Sequence, residues 1–199
     1  AIYIRWAQVM KAESTLRFLP LSDGKQPLFM WLLMPFFSLI KDPLFAGRFL
    51  SVLSGFGTLI GVSLLGFFLF RSKLVAILTA LIYTVIPFAV FFDRMALVDS
   101  LLTMFGVWIL LLGLLLARYE RLDLAIVTGL VLGGALITKS PATFFALLLP
   151  ATAILLSFRF KKGALSARGG SGFARQLIKL GGLWLIVYFF AFAIYNILR

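Results

Sequence analysis

This sequence predicts an all-α polytopic membrane protein, on three observations. Hydrophobic residues make up 62% of the 199, and the mean hydropathy is +1.09; soluble domains sit near 45–50% apolar. The apolar residues fall into runs close to the ~17–25 that a helix needs to cross a bilayer. Charged residues, 13% of the chain, collect mainly between those runs. A soluble fold of this composition would lack the polar residues to cover its surface.

The first element is amphipathic. "AIYIRWAQVMKA" puts Ile2, Trp6, Val9 and Met10 on one helical face and Arg5, Gln8 and Lys11 mostly on the other. Such a helix lies in the membrane interface rather than across it. "STLRFLPLSDGKQP" (14–27) follows as a loop punctuated by Pro20, Gly24 and Pro27. "LFMWLLMPFFSLI" (28–40) is apolar but only about 13 residues long and contains Pro35, which suits an interfacial or re-entrant helix. Residues 1–43 are therefore expected to form an outward-facing loop with one or two interfacial helices.

Residues 44–199 are expected to form the transmembrane bundle, with about six spans near 44–70, 74–92, 97–117, 122–138, 142–158 and 180–198. Gly55, Gly57, Gly61 and Gly66 on the first and Gly129, Gly133 and Gly134 on the fourth permit close helix packing.

Charge then sets the orientation. If the spans alternate, one set of loops holds Arg71 and Lys73, Arg118 and Arg121, then Arg159, Lys161, Lys162, Arg168, Arg175 and Lys179. The opposite short loops hold Arg94 and Lys139, with Arg199 at the end. The richer set is cytoplasmic by the positive-inside rule, so 1–43, the 91–99 turn and the 138–142 turn face outward. Five of the seven acids, Glu13, Asp23, Asp42, Asp93 and Asp99, then share the outer face; Glu120 and Asp123 are cytoplasmic. "KKGALSARGGSGFARQ" (161–176) becomes a flexible cytoplasmic loop. The net charge of +12 is met by an anionic leaflet more simply than by nucleic acid, and none is expected as a partner.

Composition also narrows the chemistry. The chain has no cysteine and no histidine, which removes thiolate nucleophiles, imidazole bases and Cys/His metal sites. Acid–base work falls to carboxylates, and any metal would be a hard, oxygen-bound cation. "FFDRMALVDSLLT" (91–103) sets Asp93, Arg94 and Asp99 at the junction of two spans. Asp93 has a structural explanation as a helix cap or ion-pair partner. Asp99 does not lie directly over Arg94 on a helix, so an ion pair between them is poor. Lys25 in "DGKQPLF" and Lys139 in "ITKSPATF" either snorkel to the interface or converge with Arg94 on an anion at the outer surface. An anion so close to lipid suggests a lipid phosphate, which both Lys and Arg suit.

These motifs carry a resemblance. "DGKQPLFMWL", "GRFLSVLSGFGTLIGVSLLG", "FFDRMALVDSLLTMF" and "GALITKSPATFFALLLP" follow the order and spacing of lipid-linked-sugar glycosyltransferases of the C-type superfold. The chain resembles the dolichyl-phosphate-mannose protein mannosyltransferase group and its bacterial relatives, including lipid A aminoarabinose transferases. The resemblance implies a polytopic enzyme that takes a monosaccharide from a polyprenyl-phosphate donor and transfers it with inversion to a protein, lipid or glycan acceptor. It implies that Lys25, Arg94 and Lys139 hold the donor phosphate or sugar. Asp99 would position the acceptor or Arg94, which makes Asp99 and Arg94 the catalytic candidates and Asp23 and Asp93 supporting ones. No cofactor is implied, and a divalent cation is allowed without being required. The implied location is a multi-pass integral membrane protein, in the inner cell membrane of a prokaryote, with its active face outward.

The chain departs from the pattern in three places. Gln26 stands where the family has the first proline after its lysine, and Ser140 stands where it has glycine; both mainly affect backbone shape. The family's Asp-Glu pair would come just before "AIYIRWAQVM", so the expected catalytic base precedes Ala1 and the chain reads as an N-terminal fragment, truncated at both ends. Two other classes stay open: a transporter or flippase of lipid-linked sugar, which needs charged or broken helices near the midplane, and a non-catalytic membrane assembly subunit.

Overall fold

The computed structural model describes residues 2–160 and 170–198, with side chains described for 2–152 and 178–198. Most of the loop expected at 161–176 therefore lies outside the described residues. Among the described residues every regular element is helical.

The N-terminal part contains three short helices, α1 (Ile2–Ala12), α2 (Leu28–Leu33) and α3 (Phe36–Leu39). The face that α1 buries is Ile4, Ala7 and Met10, rotated from the predicted one so that Ile2 is exposed and Trp6 and Val9 are half-buried. The reason is tertiary: Phe29, Met30 and Leu33 of α2 pack against that face, together with Ala46, Leu50, Val98 and Leu101. Pro35 separates α2 from α3 because a proline cannot donate into the preceding turn.

Among the described residues three helices are long and apolar enough to cross a bilayer: α4 (Pro43–Phe70), α7 (Val98–Tyr119) and the Ile178–Ile197 part of α10 (Gly170–Ile197). The expected span at 74–92 is instead two helices, α5 (Lys73–Val85) and α6 (Pro87–Arg94), bent by 64°. Ile86 before Pro87 is extended, with φ −60° and ψ 117°, as the ring of a following proline demands. α8 (Leu122–Thr138) has 17 residues, roughly 25 Å against a hydrocarbon core of ~30 Å. α9 (Thr143–Phe160) follows, with side chains described only through Thr152, so part of the span expected at 142–158 lies outside the described residues. Among the described residues, three of the six expected spans are long and apolar enough to cross, or four if the bent pair crosses as one.

Small residues set how these helices dock. A methyl group on Gly129 would come 2.7 Å from the Val187 carbonyl of α10, and one on Gly133 would come 2.8 Å from Ile194. Those clashes show how closely α8 and α10 approach. On α4, Gly47, Gly57 and Gly61 face Ala96, Met104 and Val107 in the same manner. Side chains lock the contacts: Trp108 Nε1 donates to the Gly57 carbonyl (3.1 Å), Tyr188 Oη to that of Ala146 (2.9 Å) and Thr152 Oγ1 to that of Gly113 (3.2 Å). Asp42 caps α4 by accepting from Leu44 N at 2.9 Å.

α7 and α8 run antiparallel, which gives the bundle two distinct polar ends. At one, Lys179 meets Glu120 at 3.0 Å and Arg121 meets Asp123 at 2.7 Å. The start of α7, the end of α8 and the loop before α2 meet at the other.

Candidate functional site

At that second end, α8 stops at Lys139, whose extended backbone (φ −162°, ψ 140°) leads into the Ser140–Pro141 turn. Its Nζ donates to Asp99 Oδ1 at 2.7 Å, closing a charge-assisted bond between the end of α8 and the first turn of α7. A carboxylate in a first turn is further favoured by the positive end of the helix dipole. Asp99 thus has a partner that its own helix does not supply.

Lys25 reaches the same region from the N-terminal loop. Gly24 adopts a left-handed conformation (φ 68°) that few other residues tolerate, and the turn closes through Lys25 N to the Pro20 carbonyl at 3.0 Å. The Lys25 ammonium donates to Asp23 Oδ2 at 2.9 Å and lies 4.7 Å from the centre of the Trp6 ring.

Between these groups lies a hollow of about 190 Å³, lined by Tyr3, Gly24, Lys25, Gln26, Val98, Thr138, Lys139, Ser140 and Pro141. Lys25 and Lys139, far apart in sequence, share its wall. Each brings its own carboxylate, so the local charges are two cations and two anions. Among the described residues no three acidic side chains converge as a metal cage.

The other predicted residues go elsewhere. Arg94, the last residue of α6, is exposed, is not part of the lining, and makes no ion pair among the described residues. Asp93 faces α4: it accepts from Tyr83 Oη at 2.7 Å, and its carboxylate occupies the space that Gly55 leaves by having no side chain. It does not cap α7, whose N-cap is Leu97 with no side-chain bond. That corrects the cap reading, because α6 extends through Arg94 before the chain turns. Sequence reasoning missed Tyr3, Val98, Thr138 and Pro141 as lining residues and gave Gln26 and Ser140 only a backbone role. Adjacency to Lys25, Asp99 and Lys139 was the available signal for all except Tyr3.

No curated protein and no solved structure matches the chain. A family model described as dolichyl-phosphate-mannose-protein mannosyltransferase matches residues 24–195, which includes every lining residue except Tyr3. With most of its length so matched, the chain belongs to the dolichyl-phosphate-mannose-protein mannosyltransferase family, a group of membrane glycosyltransferases.

Proposed function

We propose that the protein transfers a monosaccharide from a polyprenyl-phosphate donor to an acceptor hydroxyl at the outer membrane face, by a single displacement with inversion. The observation that carries this reading is the shared wall: Lys25 and Lys139 flank one hollow, beside Asp99, at one end of the bundle. Family membership supplies the reaction class.

In this scheme the acceptor oxygen attacks the anomeric carbon and loses its proton to a carboxylate. The bond from that carbon to the donor phosphate oxygen breaks, and the phosphate leaves with the electron pair. Charge builds on the phosphate as the sugar becomes oxocarbenium-like. Lys25 and Lys139 are placed to meet that charge, and a preorganised cation in a site poor in water is more effective than one in bulk solvent. Asp23 and Asp99 keep the two ammonium groups aimed before the donor arrives. Arg94 contacts the donor outside the hollow, or once the α6–α7 turn shifts. The loop charges support the outward reading, since the hollow lies opposite the end that holds Arg121 and Lys179.

The test is sugar transfer by the full-length protein in detergent or vesicles, using polyprenyl-phosphate sugars as donors. Lys25→Ala, Arg94→Ala and Lys139→Ala should each lower turnover by at least ~100-fold, and Asp99→Asn by ~5–15-fold, while thermal stability is retained. Unchanged turnover in both lysine variants would sink the reading. Sugar crossing the membrane without covalent transfer would replace it with transport.

A further inference from the structure

Gln26 has an unusual position on the wall of the hollow. Its Oε1 is buried and has no hydrogen-bond donor among the described residues. Buried acceptors are nearly always satisfied, and each exception calls for a reason. The residue next to it, Lys25, and the one across the hollow, Lys139, are both already paired. Two further uncharged residues line the same hollow, Tyr3 and the exposed Ser140, and neither hydroxyl has a hydrogen-bond partner among the described residues. The hollow therefore presents two kinds of chemistry: cations with their counter-charges, and a set of neutral groups with hydrogen-bonding capacity to spare.

We propose that Gln26 is a specificity-determining residue of this hollow, hydrogen-bonding a hydroxyl of a neutral sugar whose phosphate lies at Lys25 and Lys139. The inference rests on the donor class proposed above and adds which part of the donor is read, and by what. A carboxamide offers both an acceptor and a donor, and a sugar hydroxyl offers the same pair in reverse. The last torsion of a glutamine side chain is broad, so a small rotation turns Oε1 toward an entering hydroxyl. Phosphate oxygens cannot satisfy Oε1, because they bring no proton. An anionic sugar is disfavoured by Asp23 and Asp99, which stand beside the two lysines. Tyr3 belongs to α1 and lies before the stretch that the family model matches.

The discriminating experiment compares wild type with Gln26→Leu, which keeps the bulk and removes the amide. Equilibrium binding and kcat/KM are measured in the full-length protein with three donor types. These are a polyprenyl-phosphate neutral hexose, its singly deoxygenated analogues, and the matching uronic acid. Loss of a buried hydrogen bond to a substrate hydroxyl lowers affinity by about 10- to 100-fold. Gln26→Leu should show that loss with the intact hexose and match wild type with one deoxy analogue. Gln26→Glu, which keeps the acceptor, should recover part of the loss. Equal behaviour of wild type and Gln26→Leu on every donor overturns the proposal. So does a uniform loss on every donor including all the deoxy analogues, which would mark Gln26 as structural. If no donor turns over but binding still separates the two proteins by one hydroxyl, the specificity role stands and glycosyl transfer falls. If wild type binds none of the polyprenyl-phosphate sugars, both fall.

Discussion

The bond between Lys139 and Asp99 makes a prediction that can be worked through in numbers. It joins α8 to α7 at 2.7 Å, with side chains 39% and 35% exposed. Two unit charges ~4 Å apart attract by ~4 kcal/mol at an effective dielectric near 20, whereas fully exposed pairs measure ~0.2–1 kcal/mol. With each group more than a third exposed, about 1–1.5 kcal/mol is the reasonable value, or a ~5–15-fold effect on a rate that depends on it. Under the proposed mechanism, losing the Lys139 ammonium removes a cation from the departing phosphate, a loss of the ~100–1,000-fold kind seen when one preorganised donor is deleted. If Asp99 acts only by aiming Lys139, the two effects share one route. Asp99→Asn should then cost ~5–15-fold, Lys139→Gln ~100–1,000-fold, and the double variant no more than Lys139→Gln alone. The assay is single-turnover sugar transfer at saturating donor, with melting temperature as a control on folding. Losses that multiply in the double variant would refute the aiming role and give Asp99 a direct contact with the acceptor. An Asp99→Asn loss as large as that of Lys139→Gln would refute the magnitude.

Other predictions concern packing and placement. Gly129→Ala sets a methyl group against the Val187 carbonyl, which is backbone and cannot rotate away, and should destabilise the bundle by ~1–3 kcal/mol; a lower melting temperature in detergent checks this. Tyr83→Phe leaves the Asp93 carboxylate without its hydroxyl partner at a cost of ~1–3 kcal/mol, and adding Asp93→Asn should recover part of that loss. Arg94→Ala should leave the melting temperature unchanged while lowering turnover, since Arg94 is exposed and unpaired among the described residues. Orientation is open to direct test because the chain has no cysteine. Single substitutions Ser22→Cys and Ser140→Cys should react with an impermeant thiol reagent from one side of the membrane, and Leu122→Cys from the other.

Much of the helical architecture was legible from residues alone, because hydropathy and helix-breaking are local properties. The long apolar runs of α4, α7 and α10 announce themselves, and Pro35 marks a break where one occurs. The break at Ile86–Pro87 was equally local, yet 74–92 looked like one span because apolar content continues across it. The glycines of α4 and α8 hinted at close packing, though not at which neighbour each would admit.

The site was legible only as an inventory. Sequence supplied Lys25, Arg94, Asp99 and Lys139 and raised their convergence on one anion, but a charge on its own chain segment has no stated partner. Docking α7 antiparallel to α8 brings Asp99 to Lys139 across 40 residues of chain, and the Gly24 turn carries Lys25 to the same wall. The same docking separates neighbours: Asp93 is turned toward Gly55 and Tyr83, while Arg94, one residue on, is left exposed outside the hollow. Residue chemistry and helix length were fixed by local composition. Which charges meet, and which acceptor stays unpaired at Gln26, was decided by interhelical packing, where contacts depend on residues distant in sequence.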